Sequence, residues 1–188
     1  MTRKFIVSAV VLGMCVISGV STAVRGSDRD GDRIELRLNG FEENPSISTT
    51  GRGRLTLEIQ DNDTIDYHLR YSALEGTTGG TVLFAHIHLG ALHTNGGVAA
   101  FLCGGGDKAP CPTPSGEVVG TIDPADIVGP GGQGLTTGEF AEFVRAIKAG
   151  YTYANVHTTR FPGGEIRGQI GDDDDDDDDD DGDHDHHD

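Results

Sequence analysis

The chain has 188 residues, 29 of them glycine and none tryptophan, with a formal charge of −17. Thirteen aspartates between positions 172 and 188 supply most of that charge, so the remainder is near balance and the sequence shows no basic stripe to follow a phosphate backbone. This excludes nucleic acid as the expected partner, and the glycines and short β-branched runs favour an all-β domain over a helical bundle.

Arg3 and Lys4 precede an apolar run from Phe5 to Val20, and Ser21-Thr22-Ala23 places small residues where a signal is cut. Residues 1–23 therefore read as an export signal. The run is short of the ~20 apolar residues of a membrane span, so no stable span is expected after cleavage; an uncleaved anchor is the alternative. The expected destination is the periplasm, the cell surface or the medium. Removing the signal leaves Cys103 and Cys111, an even pair that in an exported protein reads as a disulfide across a Gly/Pro loop.

Residues 24–33 are charged and Gly-rich, a linker. Ile34 to Leu38 alternates apolar and charged residues and predicts a half-buried strand, as does Leu55 to Ile59. Asp61-Asn62-Asp63 is a turn leading into Ile65 to Tyr71. There Ile65, Tyr67, Leu69 and Tyr71 share one face, and Asp66, His68 and Arg70 the other. Val82 to Leu89, Val98 to Leu102 and Glu117 to Ile122 are further strands. Asp123-Pro124-Ala125-Asp126 predicts one helical turn with Asp at the N-cap. Thr136 or Thr137 to Ala149 predicts the one true helix, with Phe140, Phe143, Val144 and Ile147 at helical spacing and Gly150 as the stop. Tyr151 to Thr158 and Gly164 to Ile170 close the domain. About eight strands and one helix predict an all-β fold: an antiparallel, two-sheet, Greek-key-like sandwich with the helix in a crossover connection.

Ala85-His86-Ile87-His88 with Gly90, then Gly120-Thr121-Ile122, Tyr153-Ala154-Asn155-Val156-His157-Thr158 and Pro162-Gly163-Gly164-Glu165-Ile166-Arg167-Gly168-Gln169-Ile170 closely resemble the CHRD domain, the module named after chordin and found in many bacterial exported proteins. The similarity runs from about residue 34 to 170. In chordin such domains belong to a secreted protein that binds growth factors, so the resemblance implies an extracellular setting and a protein or surface as partner. It implies no general activity.

The residues themselves point to a metal. Side chains of a strand alternate faces, so His86 and His88 project together, and His157 on a later strand is the natural third partner. Three imidazoles suit Cu or Zn. His93, His68 and Glu165 are the candidate fourth contacts. The His-x-His pair with a distant third His is also locally similar to the copper site of Cu/Zn superoxide dismutase. The alternative is that these histidines hydrogen-bond neighbours and hold strands in register, in a protein-interaction module. A copper-dependent redox enzyme is a third reading, although no Ser-His-Asp order, nucleophile elbow or phosphate-binding loop appears.

Residues 171–188 form a separate acidic tail. Ten consecutive aspartates repel one another and bury nothing, so a disordered segment is expected. Asp183, His184, Asp185, His186, His187 and Asp188 end it with a mixed set of donors. The carboxylates suit Ca weakly, and the imidazoles suit Zn, Cu or Ni.

Overall fold

The computed structural model describes residues 33–171. The expected signal, nearly all of the linker and the acidic tail lie outside the described residues. Eight strands follow the predicted order: β1 Arg33–Asn39, β2 Arg52–Gln60, β3 Thr64–Ser72, β4 Val82–Leu89, β5 Gly97–Cys103, β6 Gly116–Ile122, β7 Thr152–Thr158 and β8 Ile166–Ile170. Helix α1, Phe140–Lys148, lies between β6 and β7. No helix among the described residues is long and apolar enough to cross a membrane.

Alternation decides which residues enter the core. Leu36, Leu38, Leu55, Leu57, Ile65, Tyr67, Leu69 and Tyr71 are all buried, and the charged residues between them face outward or stand half-buried. Each fully buried leucine or isoleucine contributes roughly 1.5–3 kcal/mol relative to exposure. α1 buries Phe140, Phe143 and Ile147 against this core. The helix starts later than its apolar spacing suggests. Gly138 takes a left-handed φ of 86°, and the Glu139 carboxylate accepts from the Thr136 N–H, so residues 136–139 form a separate turn. The predicted turn after β6 is a short 3-10 helix, Pro124–Asp126, with Asp123 and Asp126 capping each other's backbone.

The strands join in the order β5-β4-β7-β8-β1-β2-β3-β6, all antiparallel. This corrects the expected pair of sheets: the hydrogen bonding draws one continuous sheet. The seam between its halves is the β8–β1 junction, where Asn39 and Arg167 are the only registered pair. The sheet nearly closes into a barrel, and Tyr67 Oη of β3 donates across the core to the Leu102 carbonyl of β5, 2.8 Å away. The Cys103–Cys111 disulfide ties the end of β5 to the loop that leads to β6.

The two halves are buried differently. β1, β2, β3 and β6 have one face in the core and one in solvent. Every residue of β7 and β8 is buried, as are Ala85 to His88 of β4. The outward face of β4, β7 and β8 is covered by loops, and the polar residues beneath those loops make up the site.

Candidate metal centre

β4 and β7 pair so that His86 stands opposite Asn155, His88 opposite Tyr153 and Phe84 opposite His157. The three imidazoles consequently share one face of two adjacent strands. On the other side of β4, the register with β5 shifts beside His86 and again beside His88. Such irregularities re-aim side chains and recur next to functional sites. The His86 ring lies between the other two, its centroid 4.4 Å from that of His88 and 4.5 Å from that of His157. Each ring offers a nitrogen such that all three lie within 4.8 Å of one another. Phe84, Phe101 and Tyr153 wall the cluster, with Tyr153 stacked on His88 at 4.5 Å.

The hydrogen bonds fix the tautomers. His88 Nδ1 lies 2.8 Å from the Gly96 carbonyl, and His157 Nδ1 lies 2.9 Å from the Pro162 carbonyl. A carbonyl only accepts, so both Nδ1 atoms carry the proton and both Nε2 atoms of the neutral rings present lone pairs. Those two Nε2 atoms lie 3.1 and 2.9 Å from Asn155 Oδ1. Three electron-rich atoms therefore face one another without a proton between them. Either the Asn155 amide turns its NH₂ to the rings or a cation sits among them. The Glu43 carboxyl lies near enough to the Asn155 side chain to be lowered by it, and its buried Oε1 has no hydrogen-bond partner.

Burial keeps the rings neutral. It pushes His157 down to about 4 and, together with the repulsion of His157 and His88, His86 down to about 2. His88 is also lowered by burial, against the pull of its bonds to Gly96 and Asn155. Neutral imidazole is the form that binds a metal. His86 Nδ1 is buried without a hydrogen-bond partner, and an orphan of this kind costs about 1–3 kcal/mol. A metal ion bonded at ~2.0–2.1 Å needs donors roughly 3–4 Å apart, so the set fits an ion once the widest-spaced rings draw together by about 1–2 Å.

Beside the histidines lie two further buried ionisable groups, Arg167 and Glu43. Arg167 is 1% exposed, and its guanidinium lies 3.4 Å over the Tyr153 ring. Glu43 is buried, and burial raises it to about 7 against the attraction of Arg167 and the bond from Asn155.

The candidate fourth contacts lie elsewhere. His68 pairs with Glu117 at 2.7 Å on the outer face of β3. His93 is exposed in the loop between β4 and β5, with a left-handed φ of 57°. Glu165 is buried and fully engaged, accepting from Thr49 Oγ1, Thr158 Oγ1 and the backbone N–H groups of Glu75 and Gly76. Glu165 does not pair with Arg167, although the two share a face. The oxygen that does approach the histidines belongs to Asn155. Its alternation with His157 placed it on the right face, and only the register with β4 shows that it stands between the rings. Glu43 sits in an irregular polar connection, where no periodicity marks it. The tail donors, Asp183 to Asp188, lie outside the described residues.

The sequence pattern of the CHRD domain matches residues 34–170. No curated protein and no solved structure matches. The chain belongs to the CHRD family.

Proposed function

We propose that this CHRD-family protein is exported and binds one transition-metal ion, Cu or Zn, through His86, His88 and His157. The observation that carries this reading is the pair of inward-facing Nε2 lone pairs, each set by a backbone carbonyl on the opposite ring nitrogen. Backbone carbonyls that orient a ring in this way are the usual outer support of metal-bound histidine. Asn155 Oδ1 is the nearest further donor.

The rings are only 3–8% exposed. Such enclosure suits holding an ion more than turning over a substrate, so the reading is binding rather than catalysis. The Asp/His-rich tail extends the same chemistry by collecting cations loosely. Export rests on the apolar N-terminal run, and the Cys103–Cys111 bridge is consistent with an oxidising compartment.

X-ray absorption on the zinc- or copper-loaded full chain tests this. In a chain carrying His184→Ala, His186→Ala and His187→Ala, one tightly held equivalent should show three imidazole nitrogens at ~2.0–2.1 Å. A shell of oxygens alone would end the proposal.

A further inference from the structure

The solvent face of β1, β2, β3 and β6 carries the opposite chemistry. Register places Arg37 opposite Arg54, and Arg54 opposite Arg70, so three arginines stand in one transverse row. All three are exposed. Adjacent strands lie about 4.8 Å apart, so the row spans roughly 10 Å. Like charges directly opposite one another destabilise a sheet, and this fold sets three in succession.

Carboxylates only partly offset them. Glu35 pairs with Arg54, and Glu117 with Arg70 at 2.9 Å. Among the described residues, no carboxylate pairs with Arg37 or with Arg52. Arg37, Arg52, Arg54 and Arg70 line one surface cavity of about 890 Å³, whose single carboxylate is that of Glu117. With Glu35 on Arg54 and Glu117 on Arg70, four guanidiniums face two carboxylates, and the excess positive charge, centred on Arg37 and Arg52, makes a receptor for an anion; planar guanidinium matches carboxylate in bidentate fashion.

The chain holds such an anion close by. β8 lies beside β1, and a Cβ on Gly168 would come 2.1 Å from the Arg37 carbonyl oxygen, so the two backbones touch there. The acidic segment begins four residues after that contact, at Asp172. An extended chain covers roughly 3.3–3.6 Å per residue, so ten aspartates reach about three times the length of the row.

We propose that the arginine row of β1, β2 and β3 is the docking site of the chain's own acidic segment, Asp172–Asp181. Tethering gives the segment an effective concentration on the order of millimolar, which weak exposed ion pairs need in order to be populated. Most of the aspartates exceed what four arginines neutralise and stay free for cations. Salt, or cations that occupy the carboxylates, releases the segment.

The test compares amide NMR spectra of the full chain with those of a full-length variant in which Asp172–Asp181 are all serine. The expected result is a set of shifts confined to β1, β2, β3 and β6, with the amides of β4 and β7 unmoved. Raising salt from 10 to 500 mM should move the same amides in the parent and not in the serine variant. A labelled ten-aspartate peptide should bind the serine variant at least tenfold more tightly than the parent. That gain should disappear on adding Arg37→Ala, Arg54→Ala and Arg70→Ala. Superimposable spectra, shifts that grow with protein concentration (a second copy's tail), or peptide binding indifferent to the three arginines would each overturn the proposal.

Discussion

His157 Nε2 lies 2.9 Å from Asn155 Oδ1 while Nδ1 of the same ring is committed to the Pro162 carbonyl. A neutral imidazole has one N–H, and here the backbone already uses it. The contact with Asn155 is therefore short of a proton, and the same holds for His88. A metal ion at the two Nε2 atoms would supply the positive charge that both contacts lack with the amide in this orientation; the turned amide would supply N–H groups instead.

Asn155 should thus matter to metal affinity without being a histidine. Asn155→Leu is expected to weaken zinc binding by roughly 10–100-fold, the usual effect of losing an outer-shell partner. Asn155→Asp, which offers a charged oxygen at the same place, should keep affinity or raise it. Isothermal titration of the two variants checks this, and equal losses in both would count against a role for the side-chain oxygen.

Acid should act in opposite senses on the buried histidines and on Glu43. His157 falls from an ordinary value near 6.5 to about 4, so below pH 6.5 the unfolded chain binds the proton first and stability drops as pH falls. Glu43 rises from 4.5 to about 7, so the folded chain binds its proton first and stability grows as pH falls from 7 toward 4.5. Between pH 7 and 5 each of these two effects is about 2 kcal/mol. His86 and His88, also lowered by burial, add to the loss on the histidine side, so the metal-free protein loses stability toward pH 5 and Glu43 offsets part of that loss. Glu43→Gln removes the offset. Its urea-unfolding free energy should then fall from pH 7 to 5 by about 2 kcal/mol more than that of the parent. A profile parallel to the parent's contradicts the assignment.

Glu165 receives four hydrogen bonds in a fully buried pocket beneath the loop after β3. Glu165→Ala strands those donors, each costing about 1–3 kcal/mol when left unmet. Water entering the vacated space recovers some of this, so a loss of roughly 3–5 kcal/mol is expected in chemical denaturation. Gly76→Ala should mimic it, because a Cβ there would lie 1.9 Å from Thr158 Oγ1 and 2.4 Å from Glu165 Oε2.

The disulfide closes a loop with a sequence separation of 8. Chain entropy assigns such a loop about 2–3 kcal/mol. Cys103→Ser with Cys111→Ser should lower the unfolding free energy by that amount and leave zinc binding within threefold, since the bridge lies at the far end of β5 from His88.

Much of this molecule was legible in its sequence. The eight strands and the helix follow from alternation, turns and the helical spacing of Phe140, Phe143 and Ile147. Grouping His86, His88 and His157 needed only the two-residue period of a strand and one guess at pairing. What periodicity does not carry is register. The position of Asn155 between two rings depends on which residue of β7 faces His86. The Arg37–Arg54–Arg70 row likewise depends on three strands sliding into line, so the sequence shows scattered arginines where the sheet presents a stripe. Nor does alternation show that the second face of β7 and β8 is roofed by loops, because the covering residues, Glu43 among them, lie in irregular connections. The single sheet is not legible in the pattern for a related reason: Gly168 permits the close β8–β1 approach, and one small residue leaves no periodic mark.

The three-histidine site is tested most directly by zinc affinity, measured by competition with a chromophoric chelator. The measurement is made on the full chain carrying His184→Ala, His186→Ala and His187→Ala, with and without His86→Ala. One strong site is expected in the first protein and at least a hundredfold weaker binding in the second, with far-ultraviolet circular dichroism unchanged. Equal affinity in the two proteins would contradict a three-histidine site.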